Sequence, residues 1–345
     1  MSLARIKDVS YDKSVVYEPS EDSFLLADAV VDEIWKKDTS NARKRLANEN
    51  NDNNNDNNNN KEEEERSDHD DDDFVSVEIG VGSGYVLCSH AMSYQNEMMM
   101  MMMMREKDAQ RDPTLREECS TTRTTLGGEK RRKKWRFIGV DVNGTAVEHA
   151  KETMRNHGMK VVGDDDDEDG RREDAASSPV SIEIFRGDML EDDRFYRRSD
   201  AGRDDCNTTT TTETSKREER IKEPIDVLLF NPPYVVTPSE EIYDPSSLTT
   251  TKREGEEGTT TASYRPAITA AWAGGLRGRE VLDRILGDIK SWLRPNGGTF
   301  LVVAYAQNDV EEMISILQNQ GLEVEIAKRT QADEESLVVI KAVRL

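Results

Sequence analysis

Five low-complexity runs interrupt this chain, and none holds enough apolar surface to offset the entropy of ordering it. They run from Asn41 to Asp73, rich in Asn and then in Glu and Asp, from Gln95 to Lys134, with seven Met ahead of polar and basic residues, and from Asp164 to Ser177, which is acidic. Two more, Tyr196 to Lys222 and Glu241 to Tyr264, are rich in Thr. They are expected to be disordered inserts. Of 345 residues, about 207 remain, which is enough for one domain. The expected organisation is an N-terminal segment, 1–40, whose helix packs on a catalytic domain at 74–345, with the insert 41–73 between them.

The same runs explain the charge. The chain has 47 Lys and Arg against 70 Asp and Glu, a net −23, but residues 41–73 hold 12 acidic and 5 basic side chains and 164–177 hold 8 and 2. The two inserts supply −13 of the total, so the net charge describes loops rather than an active surface. A broad basic face for nucleic acid is not expected, since such binding draws on counterion release by many cations. No run of eighteen apolar residues occurs and the N-terminal MSLARIKDVS lacks an apolar signal core, so neither a membrane span nor secretion by that route is expected. A cytoplasmic location follows, and the basic run Lys130 to Lys134 reads either as a nuclear address or as a solvated loop. Cys88, Cys119 and Cys206 form no pair with metal-ligand spacing, so no metal is expected to be bound. The run Met98 to Met104 reads as a homopolymeric insert rather than a thioether copper site.

Between the inserts, short β-branched or aromatic runs alternate with helical patterns, which predicts an α/β fold with a mostly parallel sheet. Strands are expected at Phe74–Ile79, Arg136–Val140, Ser181–Phe185, Ile225–Phe230, Thr299–Tyr305, Leu322–Ala327 and Ser336–Val343. Helices are expected at Glu21–Trp35, with Ser20 as N-cap, and at Tyr85–Ser93, Gly144–Asn156, Gly278–Trp292 and Val310–Gln320. The connection Lys328–Glu335 is too short for a crossover helix, so the last strand should run antiparallel.

Four motifs fall where these strands end. Glu78-Ile79-Gly80-Val81-Gly82-Ser83-Gly84 follows the first strand and opens a helix, so Gly80, Gly82 and Gly84 can bring backbone N–H groups against a ligand. A dinucleotide fingerprint would place its third glycine at 85, which is Tyr. The spacing here resembles motif I of S-adenosylmethionine-dependent methyltransferases. Asp141 ends the second strand, where a carboxylate can accept both ribose hydroxyls of an adenosine or serve as a helix N-cap. Gly187-Asp188-Met189 follows the third, placing Asp188 to accept from an adenine amino group. Asn231-Pro232-Pro233-Tyr234 follows the fourth. There the Asn231 side-chain oxygen and the Pro232 carbonyl can each accept one N–H of a planar NH2 group, the prolines stiffen the loop, and Tyr234 offers a ring face. Orientation then carries most of the catalysis and no strong base is needed.

Two longer blocks sharpen this reading: Val16-Tyr17-Glu18-Pro19-Ser20-Glu21-Asp22-Ser23-Phe24-Leu25-Leu26 and Ala271-Trp272-Ala273-Gly274-Gly275-Leu276-Arg277-Gly278-Arg279-Glu280. With Asn231 to Pro238, they resemble the HemK-like glutamine N5-methyltransferases, and among them the eukaryotic and archaeal branch that methylates peptide-chain release factors. The resemblance implies a Rossmann-like seven-stranded domain and places Ser23, Glu78, Gly80, Asp141, Asp188 and Met189 around S-adenosylmethionine, with Asn231 on both cofactor and substrate. It implies methylation of the Gln in the Gly-Gly-Gln loop of a release factor, and a heterodimer with a small zinc-binding activator protein. Position 23 more often holds Thr in that branch, and Ser keeps the hydroxyl. Adenine N6-methylation of DNA or RNA, lysine methylation of proteins and a non-catalytic scaffold remain alternatives.

Overall fold

Alternate residues of a strand face opposite sides of its sheet, and the first strand uses both sides. In a computed structural model describing residues 3–36, 73–111, 134–163, 179–189, 224–242, 268–330 and 336–345, β1 (Phe74–Ile79) sends Val75 and Val77 into one apolar layer and Phe74 into the other. Such two-sided burial requires cover on both faces. β1 lies between β2 (Trp135–Asp141) and β4 (Val227–Phe230), with β3 (Val180–Arg186) beyond β2, all parallel. β5 (Thr299–Tyr305) adds in parallel to β4, and β7 (Leu337–Val343) lies antiparallel between β5 and β6 (Glu323–Arg329). The order β3-β2-β1-β4-β5-β7-β6 reverses direction between β1 and β4, and open α/β sheets hold ligands beyond the strand ends at such a reversal.

Helices cover both faces. α1 (Glu21–Val30), α2 (Tyr85–Arg111) and α3 (Gly144–Asn156) pack one layer against Phe137, Leu229, Leu301 and Val339. α4 (Glu280–Leu286), α5 (Ile289–Trp292) and α6 (Val310–Asn319) pack the other against Ile138, Leu228, Phe300 and Ile340. The N-terminal helix is tied to the far edge by Lys341, whose Nζ lies 2.8 Å from Glu33, and by the Lys328–Asp32 pair.

Four details depart from the sequence reading. α2 continues to Arg111 through the Met run and across the start of the expected insert at 95–134, because Met is a good helix former and the packed first half supplies the nucleus. Met99, Met100 and Met103 are exposed on it. α1 ends in a π-helical turn, Val31–Lys36. Ser20 stands at its N-cap position but its hydroxyl donates to Asp22 Oδ1 at 2.8 Å, with no bond to a helix N–H. The helix expected over Gly278–Trp292 is two short ones, broken at Gly287-Asp288 and preceded by a tight turn at Leu276–Gly278 in which Arg277 has φ 59°. Residues 41–72, 112–133, 164–177, 196–222 and 243–264 of the expected inserts lie outside the described residues, among them Cys119, Cys206 and Lys130 to Lys133. No helix among the described residues is long and apolar enough to cross a membrane.

His90 makes the fold acid-sensitive. It is fully buried on α2 among Trp35, Phe74 and Phe137, its Nδ1 lies 3.2 Å from Ser76 Oγ, and its Nε2 has no partner among the described residues. Burial pushes its pKa down to about 3. The unfolded chain therefore binds a proton that the folded one refuses, and stability present above the ordinary His pKa of about 6.5 falls by several kcal/mol as pH drops towards 3. His90→Phe is expected to flatten the pH dependence of urea unfolding between pH 6.5 and 4. An unchanged slope would contradict this.

Candidate functional site

The cleft lies over the carboxyl ends of β1, β2 and β4, where the reversal of strand order leaves room. After β1 the chain turns back across the end of β2: the Gly80 and Val81 N–H groups donate to the Val140 carbonyl at 2.8 and 3.1 Å. Gly80 and Gly82 have φ of +66° and +53°, a region that costs other residues about 1–2 kcal/mol. Gly84 does something else. A Cβ on it would sit 2.9 Å from the Ala150 Cα, so this glycine lets α2 and α3 approach, and it does not line the cleft.

Glu78 is 2% exposed and its Oε2 has no partner among the described residues. Burial pushes its carboxyl well above the usual range, the Leu87 backbone N–H opposes this, and nearby Asp141 raises it further. An orphaned buried carboxylate oxygen on a cleft wall calls for a donor or cation from the ligand. Asp141 is held from both sides, accepting from Gly82 N at 2.9 Å through Oδ2 and from Asn143 N at 2.8 Å through Oδ1. Desolvation raises its pKa and those two bonds oppose the rise. The N-cap of α3 is Asn143, which accepts from Thr145 N at 3.0 Å while its Nδ2 donates to the Val15 carbonyl at 2.9 Å. That bond brings Val15, Val16 and Tyr17 over the cleft.

Ser23, Asp188 and Met189 also line the cleft. Ser23 Oγ donates to Asp22 Oδ1 at 3.2 Å, and Asp188 Oδ2 lies 2.9 Å from Arg284 Nη2. Arg284, on α4, also faces the cleft, and no sequence signal marks it. Asp141→Ala is expected to weaken binding of S-adenosylmethionine by about 1–3 kcal/mol, the scale for removing a partner of charge-assisted hydrogen bonds. Unchanged binding by calorimetry would remove Asp141 from the site.

On the fourth strand's loop, Asn231 faces the same cleft and its buried Oδ1 meets no partner among the described residues. Pro232 is buried and does not line the cleft, whereas Pro233 does. Tyr234 lines a second groove beside it, with Tyr17, Asp22, Trp272 and Tyr305, and its hydroxyl donates to Asp22 Oδ2 at 3.0 Å. Burial, with Asp22 and Tyr17 nearby, raises the Tyr234 pKa far above its ordinary value, so the phenol keeps its proton.

The block Ala271 to Glu280 shapes this loop from behind. Val235 N donates to the Trp272 carbonyl at 3.0 Å and Gly274 N to the Val235 carbonyl at 2.9 Å. A Cβ on Gly274 would meet the Pro233 carbonyl at 2.7 Å, and one on Gly278 the Tyr234 carbonyl at 2.2 Å. Asn308 Nδ2 donates to the same Tyr234 carbonyl at 2.9 Å. Arg279, 2% exposed, anchors the block through Asp283 Oδ1 at 2.8 Å and Glu312 Oε2 at 2.9 Å. Among the described residues, no group of three or more His, Cys, Asp or Glu could hold a metal ion.

No family model matches the chain. It is 38% identical over 122 residues to the human methyltransferase HEMK2, covering 35% of this chain and 47% of that protein. It is 33% identical over 144 residues to the eRF1 methyltransferase catalytic subunit mtq2 of Schizosaccharomyces pombe, covering 41% of this chain and 54% of that one. To the putative protein N5-glutamine methyltransferase MJ0928 of Methanocaldococcus jannaschii it is 26% identical over 210 residues, covering 61% and 71%. The chain thus spans about half the length of the human and fission-yeast relatives it matches. Over these stretches the chain is similar to HemK-like methyltransferases, and its glycine turn, β2 aspartate and Asn231 loop meet at one cleft.

Proposed function

We propose that this chain transfers a methyl group from S-adenosylmethionine to the side-chain amide of the Gln in the Gly-Gly-Gln loop of a peptide-chain release factor. The observation that carries the reading is a pair of buried oxygens on one cleft, Glu78 Oε2 and Asn231 Oδ1, that meet no partner among the described residues. The first suits a cationic cofactor and the second an N–H of the acceptor. Glu78, Gly80, Gly82, Asp141, Asp188, Met189 and Ser23 would hold the cofactor, which supplies an electrophilic methyl group on a sulfonium when bound. Asn231 Oδ1 accepts one acceptor N–H and orients the nitrogen with its face towards the cofactor, while Pro232, buried behind the cleft wall, and Pro233 stiffen the loop. Tyr234, its proton committed to Asp22, acts as a ring wall rather than a base. The names of the relatives, which include an eRF1 methyltransferase subunit and an N5-glutamine methyltransferase, support the choice of acceptor.

The proposal extends to assembly and place. The resemblance implies that the chain works as a heterodimer with a small zinc-binding activator protein, and we place that complex in the cytoplasm. Methyl transfer from labelled cofactor is to be measured to release factor, adenine oligonucleotide and histone in parallel, with and without that partner. The release factor is expected to be the best acceptor by kcat/KM, and co-expression with the partner to raise activity. A higher kcat/KM for the oligonucleotide would move the acceptor to adenine, and full activity of the chain alone would remove the partner.

A further inference from the structure

Beside the cleft, and joined to it at Tyr17 and Ala271, runs the groove lined by Asp22, Tyr234, Val235, Val236, Trp272 and Tyr305. One of its edges is a stretch of pairing-competent backbone. Val235 makes a parallel bridge with Ala273, and Thr237 N donates to the Gly275 carbonyl at 3.1 Å. Backbone groups of successive residues in an extended strand address opposite edges, so the N–H and C=O of Val236 turn away from Trp272 to Gly275. Among the described residues neither group meets a partner, and the Val236 side chain is 51% exposed. An unpaired strand edge of this kind recognises another extended chain by main-chain hydrogen bonds.

The walls say what kind of chain. Among the described residues no Lys or Arg lines the groove, and the one charged side chain there is Asp22, 3% exposed and already engaged by Tyr234. A nucleic acid strand requires cations along its path, and a buried carboxylate repels both phosphates and acidic residues. Aromatic faces with a free backbone edge and no cation suit an extended, non-acidic polypeptide.

Resting on the acceptor reading above, we propose that this groove docks an extended, non-acidic segment of the substrate protein by β-pairing to Val236. Val236 follows Asn231 by five residues, so the paired residue of the substrate lies within about five residues of the methylated one, at an extended reach of about 3.3 Å per residue.

Val236→Pro removes the one N–H donor without shortening the edge. With the full chain and intact release factor, KM is expected to rise about tenfold, and at least fivefold more than in Val236→Ala, while kcat at saturation and cofactor affinity stay within about twofold. Independently, hydrogen exchange at the Val236 amide of the wild-type chain is expected to slow at least tenfold when release factor and S-adenosylhomocysteine are added. Should Val236→Pro fail to bind cofactor, the exchange measurement decides alone. An unprotected Val236 amide, or an unchanged KM in a cofactor-binding Val236→Pro, would overturn the docking proposal while a methylated release factor left the acceptor reading standing. Transfer by the wild type to the oligonucleotide alone would overturn both.

Discussion

Asn231→Ala is expected to reduce methyl transfer at saturating substrate by about 10²-fold or more while leaving S-adenosylmethionine binding within a few-fold. The Asn231 Oδ1 atom is buried and has no partner within the described protein, so its hydrogen-bonding capacity is reserved for something that enters the cleft. An atom that orients the acceptor nitrogen has its greatest value where the nitrogen must point at the methyl group, so its loss appears in kcat more than in binding. Single-turnover rates and calorimetry on the same variant separate the two effects. Near-normal turnover would remove Asn231 from catalysis. A large loss of cofactor affinity would make it a binding residue instead.

The second large effect is expected at a residue that touches no ligand. Gly278 has φ +66°, and a Cβ there would lie 2.2 Å from the Tyr234 carbonyl and 2.5 Å from Asn308 Nδ2. Both are parts of the scaffold behind the loop, since Asn308 Nδ2 also donates to the Arg277 carbonyl at 3.0 Å. Gly278→Ala combines overpacking with left-handed strain and is expected to cost about 2–5 kcal/mol of stability and most of the turnover. Gly158→Ala is the control: φ is +75° but nothing lies within 4 Å, so only the strain of about 1–2 kcal/mol applies. Urea unfolding of the two variants tests the difference. Equal losses would mean that contact with the Tyr234 loop adds nothing.

The residues that sequence reasoning placed correctly are those whose neighbours announce them. Phe74–Ile79 reads as a strand because β-branched Val75, Val77 and Ile79 recur at every second position, and Asp141 reads as the second-strand carboxylate because it closes the run Phe137-Ile138-Gly139-Val140. Three features were hidden for physical reasons. The Met run carries no amphipathic pattern, so the extension of α2 to Arg111 depends on a helix already nucleated by packing at Tyr85 to Ala91. Gly84 sits inside the glycine motif but is required by Ala150, a contact across two helices that spacing alone does not encode. Arg284 reaches Asp188 across 96 residues of chain, and nothing local distinguishes it from any helix-surface arginine. The Ala271 to Glu280 block could be quoted as a signature, but its role became visible only when Gly274 and Gly278 were found against the Pro233 and Tyr234 carbonyls.

The identity of the acceptor atom separates methylation of a glutamine amide from methylation of lysine. Release factor incubated with the chain, its activator partner and S-adenosylmethionine is to be digested and sequenced by tandem mass spectrometry, beside a factor whose loop Gln is replaced. A single added methyl group is expected on the side-chain amide of the loop Gln, with no modification of the replaced factor. Methylation that persists without that Gln, or that falls on a lysine, would contradict this assignment.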